Sequence, residues 1–455
     1  MIRASCTGRL VLSSLLLFGC KPAASDGIAL VGATLIDGTG GPPVTDAVVV
    51  VRRGRIESVG ERSAFQLPKK TREVDVSGRW IVPGLIDAHV HLGPTTGWTR
   101  SRYLAWGVTT VRNVHGGVSS LSQMRKRGDP VASDGPRVYS AGAMIDGRPP
   151  TYTDAIGVNG ENDARKGVDR LVTAGADFIT VYTRIDAPVL RAIVDEAKAF
   201  NLTVSGHLGM TDALTAAKAG ITSIEHMTGV PEAASKSASS LFTAHYRGFY
   251  PGWTAFERSW ASLDSAALTR VAQRLADTKI TLVPTLVLHE TLSRLSEPGL
   301  LRDPALQDVP EEQQREWDVQ GMIAAAGWTE PDFEAFRRAR PMQDLFVRVF
   351  AGAGGRIAAG TDASNQMLVP GYSQHREMEL LVRAGLTPRE SLRAATRNVA
   401  ILLGVDSLGL IAPGNVADLI VLSKDPLVDI RNTRAIQAVM ARGRLLDADS
   451  IRATW

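Results

Sequence analysis

Residues of the metal-binding type stand at the ends of several apolar, strand-like runs: His89, His91, His207, His226 and Asp362. Residues i and i+2 of a strand point to the same face, so the two imidazoles of His89-Val90-His91 are expected to point together. Neutral imidazole nitrogens and carboxylate oxygens are ligands of Zn²⁺. A bound divalent cation acidifies its water, and a neighbouring carboxylate can move the proton to a leaving nitrogen. The five residues therefore predict a hydrolytic metal site.

Two further side chains are candidates for catalysis. Tyr182 lies two residues after Thr180 in Phe178-Ile179-Thr180-Val181-Tyr182, so both are expected to face inward. A tyrosine hydroxyl aimed at a developing oxyanion would stabilise it. His115 follows the apolar run 108–114 and is expected at the same mouth.

Other polar residues near these runs are expected to be structural. Arg112 points to the end of its run, where it could also form a structural ion pair. Glu225 precedes His226 directly, so it is expected to face the opposite way, into a helix layer. Three more histidines are expected to be solvated side chains outside the site: His245, His289 and His375.

The elements that must position these residues alternate along the middle of the chain. Apolar strand-like runs occur at 85–89, 108–114, 137–141, 178–182, 203–207, 221–226, 280–285 and 357–361. Helical patterns lie between most of them, as at 189–200, where apolar residues recur at helical spacing. The pattern predicts an α/β fold, a (β/α)8 TIM barrel at 84–403, with catalytic residues at the carboxyl ends of the strands. The gap at 288–341 is read as a lid insertion.

Both ends of the chain have a β texture. Short β runs flank the turns Arg53-Gly54-Arg55 and Arg442-Gly443-Arg444, which is typical of hairpins. Residues 28–83 and 404–455 are therefore expected to form one small β-sandwich domain.

Composition excludes several classes of protein. The chain has 455 residues, 44% hydrophobic and 22% charged, as in ordinary globular proteins. The net charge of +4 is dispersed, and the densest cluster is Arg337, Arg338 and Arg340. We expect a small-molecule substrate and no nucleic-acid partner. The sequence leaves open whether the chain forms homo-oligomers.

The first twenty residues have the pattern of an export signal. Arg3 and Arg9 precede the short apolar run 10–18. Leu17-Phe18-Gly19-Cys20 resembles the lipobox of bacterial lipoproteins, which implies a membrane anchor on lipidated Cys20. The expected location is the periplasmic side of the outer membrane, with plain secretion as the alternative. Cys6 is the only other cysteine, so the exported chain has no internal disulfide.

Several motifs together resemble the amidohydrolase superfamily. They are residues 83–91 (Pro-Gly-Leu-Ile-Asp-Ala-His-Val-His), 223–226 (Ser-Ile-Glu-His), 359–362 (Ala-Gly-Thr-Asp) and 409–419. Residues 107–112 and 174–179 are most similar to the branch of imidazolonepropionase-like and Xaa-Pro dipeptidase-like enzymes. The resemblance covers nearly all of residues 28–446.

The resemblance implies roles for the site residues. His89, His91 and Asp362 would hold an α-metal, and His207 and His226 would hold a β-metal or orient the substrate. A metal-bound hydroxide would attack a carbonyl, with Asp362 as the proton shuttle. Relatives in this branch carry a carbamylated lysine at the position of Thr180, which bridges two metals. We therefore expect one tight Zn²⁺, and a second metal bound weakly or not at all.

Three functions compete. The first is a metal-dependent hydrolase of C–N bonds, in dipeptides or N-acyl amino acids. The second is a lactonase or a deaminase that uses one metal. The third is a degenerate, lipid-anchored binding protein, which the loss of the lysine at Thr180 motivates and the retention of the other five ligands opposes.

Overall fold

The computed structural model describes residues 27–92, 96–121 and 135–455. The predicted signal segment 1–20, with Cys6 and Cys20, lies outside these ranges. Among the described helices, none combines the length and the apolar character needed to cross a membrane.

One mixed sheet is built from both ends of the chain. Its eight strands are β1 (Gly27–Leu35), β2 (Val44–Arg52), β3 (Arg55–Glu61), β4 (Thr71–Asp75), β5 (Trp80–Pro83), β16 (Leu419–Leu422), β17 (Ile436–Ala441) and β18 (Arg444–Asp447). The two ends meet where β5 pairs antiparallel with β16, with Ile81 opposite Val421. Both predicted hairpins, β2–β3 and β17–β18, are present. Apolar runs specified the central strands, since β1 and β2 pack against apolar clusters on both faces.

The middle of the chain forms two parallel sheets. The first contains β6 (Leu85–His91), β7 (Val108–His115) and β8 (Arg137–Ser140). The second runs in the order β10 (Ile156–Val158), β9 (Ile145–Gly147), β11 (Ile179–Val181), β12 (Val204–Gly206), β13 (Ser223–Glu225), β14 (Thr281–Val283) and β15 (Arg356–Ile357). Each of the eight predicted runs overlaps a strand, the last only at Ile357, and β9 and β10 are additional. The predicted α/β class with parallel strands is confirmed.

Backbone hydrogen bonds join the two parallel sheets at both edges. The Asp177 amide donates to the Ser140 carbonyl at 2.9 Å, which links β8 to the chain entering β11. On the other side, the Ala88 amide donates to the Ala359 carbonyl at 2.9 Å. Gly360 permits this approach, because a Cβ atom there would lie 2.9 Å from the His89 amide nitrogen.

Helices separate most of the strands. They are α1 (Thr99–Ala105), α2 (Glu161–Ala174), α3 (Ala187–Ala199), α4 (Ala213–Ala219), α5 (Val230–Ala234), α6 (Ala238–Arg247), α7 (Phe249–Trp260), α8 (Ser265–Ala276), α9 (Leu286–Ser293), α10 (Glu311–Glu316), α11 (Val319–Ala326), α12 (Glu330–Gly352), α13 (Tyr372–Arg383), α14 (Pro388–Ala394), α15 (Arg397–Leu403) and α16 (Ala448–Arg452). Thr387 and Glu390 form a capping box at the start of α14, and Gly404 ends α15 at φ 69°. Helices α9 to α12 occupy the segment predicted as a lid.

Candidate metal centre

The carboxyl ends of the parallel strands bring three predicted ligands together. Each of His89, His226 and Asp362 offers one ligand atom within 4.8 Å of the others, and all three residues are buried. His91 joins them at the rim, with its Nε2 2.8 Å from Asp362 Oδ1. His89 Nε2 lies 3.1 Å from the same oxygen.

In two of these ligands, an unusual backbone conformation turns the side chain toward the site. His226 has φ 56° and Asp362 has φ 65°, both in the left-handed region that residues other than glycine rarely adopt. Each directly follows a strand or a strand-like run, and the change of conformation ends the alternation of side chains there. Hydrogen bonds support the turn at Asp362: its amide donates to the His89 carbonyl at 2.8 Å, and Asn365 Nδ2 donates to its Oδ2 at 2.7 Å.

The position of Glu225 differs from the prediction. It does not face a helix layer but lies fully buried beside the ligands, where His89 Nδ1 donates to its Oε2 at 2.6 Å. Arg112 Nη1 donates to Oε1 at 3.2 Å, so the ion-pair alternative for Arg112 is confirmed. Glu225 keeps the inward direction of its strand, and the left-handed backbone of His226 turns the next side chain toward the site as well. A carboxylate that accepts from the far nitrogen of a metal-binding imidazole fixes the ring and its tautomer.

The electrostatics of this group suit a cation. Burial would raise the pKa of the Asp362 carboxyl, but the charge of His91 and the adjacent imidazole of His89 outweigh it and hold the pKa well below its ordinary value. Burial disfavours a charged His89, yet the adjacent carboxylates of Asp362 and Glu225 raise its pKa to about 9. Burial opposes ionisation of Glu225 too, but Arg112 and His89 lower its pKa to about 2. Two carboxylates here are thus ionised at neutral pH.

The other two histidines are neutral at pH 7. Burial lowers the pKa of His226 well below its ordinary value, with a smaller contribution from the charge of His89. Burial also lowers the pKa of His207 to about 3. His226 Nδ1 is hydrogen-bonded to the Thr285 hydroxyl at 2.7 Å, and when Nδ1 is the donor Nε2 has the lone pair that a metal needs. The His207 ring centre lies 4.8 Å from that of His226, so it adjoins the three-residue group without being part of it.

One orphaned atom tests whether a metal fits. Asp362 Oδ1 is buried and makes no hydrogen bond of good geometry within the described residues, although two imidazole nitrogens lie within 3.1 Å. Buried acceptors are rarely left in this state, and a carboxylate oxygen among imidazole nitrogens is a ligand set that divalent cations favour. The residues therefore fit a metal ion held by His89, His226 and Asp362, with His91 alongside.

The remaining predicted residues lie at different distances from the group. Tyr182 lines the same cavity, with its ring centre 4.5 Å from that of His207. Burial and the neighbouring Tyr152 raise its pKa well above the ordinary value, so the phenol keeps its proton and can donate. Thr180 also lines the cavity, and its buried hydroxyl has no hydrogen-bond partner in the described part of the chain. His115 pairs with Asp154 at 2.9 Å, and its ring centre lies 6.4 Å from that of His91.

A cavity of about 290 Å³ lies over the ligands. Its floor consists of the strand-end residues His89, His91, Thr180, His207, His226 and Asp362. Its roof, as we name it, is supplied by helices: Phe249, Tyr250, Trp253, Leu288, Leu292, Met322 and Trp328. The predicted lid contains part of the roof, including Trp328, but the sequence did not predict that these side chains line the cavity. The cluster Phe249-Tyr250-Pro251-Gly252-Trp253 was the available signal, because few aromatic residues occur elsewhere so densely.

The three histidines expected to be solvated are buried instead. His245 donates to Glu232 at 2.8 Å, and His375 donates from Nε2 to the Trp106 carbonyl at 2.9 Å. His289 Nδ1 pairs with Glu257, and its Nε2 lies 3.2 Å from the carbonyl oxygen of His226. The expectation was wrong because a buried imidazole can be stabilised by polar partners: both nitrogens of His289 and His375 have one, and His245 pairs with Glu232. His289 thereby contacts the backbone of a metal-site residue.

Comparison with known proteins agrees with this geometry. The sequence is 24% identical to ochratoxinase from Aspergillus niger over 500 aligned positions, which cover 93% of this chain and 88% of the relative. The structure superposes on that of the same enzyme with a TM-score of 0.66, at 20% identity, covering 93% of this chain and 96% of the other. A Xaa-Pro dipeptidase crystallised with methionine gives a TM-score of 0.67 at 20% identity, covering 92% and 100%. A bottromycin amidohydrolase gives 0.69 at 24% identity, covering 94% and 88%.

The sequence profile of the amidohydrolase family matches residues 80–446, which include every strand of the two parallel sheets and all the candidate ligands. Members of this superfamily typically depend on a metal, and the His-His-Asp group here is of the type that such enzymes use. This chain therefore belongs to the amidohydrolase family and is a hydrolase that acts on carbon–nitrogen bonds.

Proposed function

We propose that the protein is an amide hydrolase dependent on a single Zn²⁺ ion, with dipeptides or N-acyl amino acids as substrates. The observation that carries the proposal is the buried Asp362 Oδ1, which lies within 3.1 Å of two imidazole nitrogens but accepts no well-aligned hydrogen bond from the described residues. Two nitrogen ligands and one carboxylate suit zinc, and a catalytic zinc site keeps a position for water.

The reaction breaks the C–N bond of the amide and forms a C–O bond from water. A divalent cation bound at this site supplies an acidified water and polarises the carbonyl group. Asp362, ionised in the folded protein, takes one proton from the water and delivers it to the leaving nitrogen. Tyr182 donates its hydroxyl proton in a hydrogen bond to the carbonyl oxygen as negative charge develops there. The products are a carboxylic acid and an amine.

One metal rather than two follows from Thr180. A lysine carbamate at this position would carry a negative charge between two cations, whereas a threonine hydroxyl carries none. His207 then serves as a neutral group beside Tyr182 rather than as half of a second site.

We further propose that the two parallel sheets form one (β/α)8 barrel over 84–403. Support comes from the hydrogen bonds that join them at Ser140–Asp177 and Ala88–Ala359. The sheet made from 28–83 and 404–455 is proposed to be a β sandwich, and 288–341 to be a lid insertion.

Export as a lipoprotein stays a prediction based on the sequence around Cys20. Cys20→Ala should release the protein from membranes without loss of activity, because a stable anchor needs at least two acyl chains. Equal partition of the wild type and the variant between membrane and soluble fractions would contradict it.

Metal analysis and a substrate screen test the proposed function. After dialysis against a mild chelator, we expect one equivalent of zinc per chain and hydrolysis of amides that stops when the metal is removed. Two equivalents surviving the dialysis would contradict the single-metal site. Turnover of lactones without turnover of amides would contradict the bond proposed. Thr180→Lys is the matched variant, and it should raise the occupancy of a second metal.

A further inference from the structure

The cavity over the metal centre has no lysine or arginine among its described lining residues, so its roof offers no cation to an acidic group. Its lining is aromatic and aliphatic apart from the floor residues, Asn365 and Gln366, and it contains neither lysine nor arginine among the described residues. Burying an unpaired carboxylate there would be costly, and it would also face the ionised Asp362. The part of a substrate that fills the roof side must therefore be uncharged and apolar.

A second cavity of about 360 Å³ adjoins the first. Tyr152, Phe249 and Tyr250 line both cavities, so only this aromatic wall separates them. The other residues of the second cavity are Pro149, Pro150, Thr151 and Arg184. Arg184 is the one charged group in its lining.

Arg184 has donors that the protein does not use. Its Nη1 donates to the Pro149 carbonyl at 2.7 Å, while its Nε is buried and has no hydrogen-bond partner in the described structure. None of the ion pairs among the described residues involves Arg184. A guanidinium presents five N–H donors in a planar fork that matches a carboxylate.

The backbone holds Arg184 in place beside the catalytic floor. The Arg184 amide donates to Asp146 Oδ1 at 2.9 Å, and Asp146 is fully buried at the end of β9. Arg184 follows Tyr182 by two residues, so the same turn carries the phenol in the first cavity and the guanidinium in the second.

We propose that Arg184 binds the carboxylate of the substrate's amino-acid half, while the roof binds an apolar acyl group on the other side of the scissile amide. This inference rests on the proposed amide hydrolysis and narrows its substrates to acids of the form apolar acyl–amino acid. A single guanidinium in an otherwise neutral groove matches the single negative charge of a carboxylate, which it can bind through two parallel N–H bonds.

The test compares two substrates that differ only in charge: an N-benzoyl amino acid and its carboxamide. The wild type should hydrolyse the acid with a kcat/KM at least about 10-fold higher, the amount that a charged hydrogen bond typically contributes. Arg184→Gln should lose this preference through KM while the carboxamide is turned over as before. Arg184→Lys keeps the positive charge but not the planar guanidinium, so this variant should keep part of the preference for the acid. Arg191→Gln, an exposed arginine on α3, is the matched control and should behave as the wild type.

Binding provides a readout independent of turnover. Trp253 and Trp328 line the first cavity, so their fluorescence should report binding of the benzoyl acid to metal-free protein. Binding of the acid should weaken about 10-fold or more in Arg184→Gln, and binding of the carboxamide should not change. Equal affinities for the acid and the carboxamide in the wild type would overturn the role of Arg184. Discrimination in binding without any metal-dependent hydrolysis would instead overturn the proposed function and leave this site standing.

Discussion

The floor and the roof of the cavity are built by opposite means. The floor is polar and lies at the ends of strands, where hydrogen bonds to Glu225, Thr285 and Asn365 fix its ligands. The roof is apolar and belongs to helices α7, α9 and α11 with Trp328, where van der Waals packing fixes the side chains. On the proposed function, the strand ends carry the chemistry and the helices of the roof bind the apolar part of the substrate. Substitutions in the floor should therefore change metal binding and turnover, and substitutions in the roof should change the preference among acyl groups.

Asp362→Asn should give the largest effect. The change removes a metal ligand and the acid–base group together, so kcat/KM should fall by about 10²–10⁴-fold. The fold should persist, because the amide side chain can still accept from Asn365. Steady-state kinetics measures the loss of kcat/KM, and circular dichroism checks that the fold persists. Activity within a few-fold of the wild type would place the proton transfer on another residue.

Glu225→Gln should weaken metal binding rather than the fold of the roof. Without its charge, the partner of His89 Nδ1 no longer fixes the ring as strongly, and metal affinity should fall by about 10–100-fold. Competition with a chromogenic chelator measures this affinity. Glu232→Gln is the matched control, because Glu232 is also buried and pairs with His245 outside the ligand group. Equal losses in both variants would mean that the effect is general destabilisation.

Trp328→Leu tests the roof. Trp328 lines the cavity and is held by a hydrogen bond from its Nε1 to Thr254 at 2.8 Å. The smaller side chain should lower kcat/KM for a benzoyl substrate by about 10-fold, through lost apolar contact. The acetyl analogue should be nearly unaffected, and metal content should stay the same. A loss of metal in this variant would show that the floor and the roof are not independent.

Glu377→Gln addresses how the roof is anchored. Glu377 Oε2 accepts from the Val287 amide at 2.8 Å, at the start of α9, and burial raises the pKa of this carboxyl to about 8. Between the ordinary pKa of a glutamate and pH 8, the folded state keeps a proton that the unfolded state has lost. The free energy of unfolding should therefore fall as pH rises through this window. Glutamine keeps the acceptor without the proton, so the variant should show a flatter profile in urea unfolding. Identical slopes for the two proteins would contradict the assigned pKa.

The floor was largely predictable from the sequence and the roof was not. Strand alternation places His89 and His91 on one face, and strand ends in a parallel sheet converge, so local patterns already carry the information. The direction of Glu225 was predicted wrongly because the alternation of side chains fails where His226 has a left-handed backbone. An acidic residue inside an apolar run does indicate a buried partner for its charge. Roof residues such as Met322 and Trp328 are brought to the site by helix packing, which depends on contacts far apart in sequence. Arg184 was missed for the same reason, since a local pattern does not show which donors stay unpaired.

The pairing of β5 with β16 has a consequence for the order of folding. A ribosome makes residues 80–83 long before residues 419–422, so the edge of β5 waits with unpaired amide and carbonyl groups while the catalytic region is synthesised. The sheet can be completed only when nearly all of the described chain has emerged. Pairing with β16 then covers an edge of β5 that could otherwise pair with another chain.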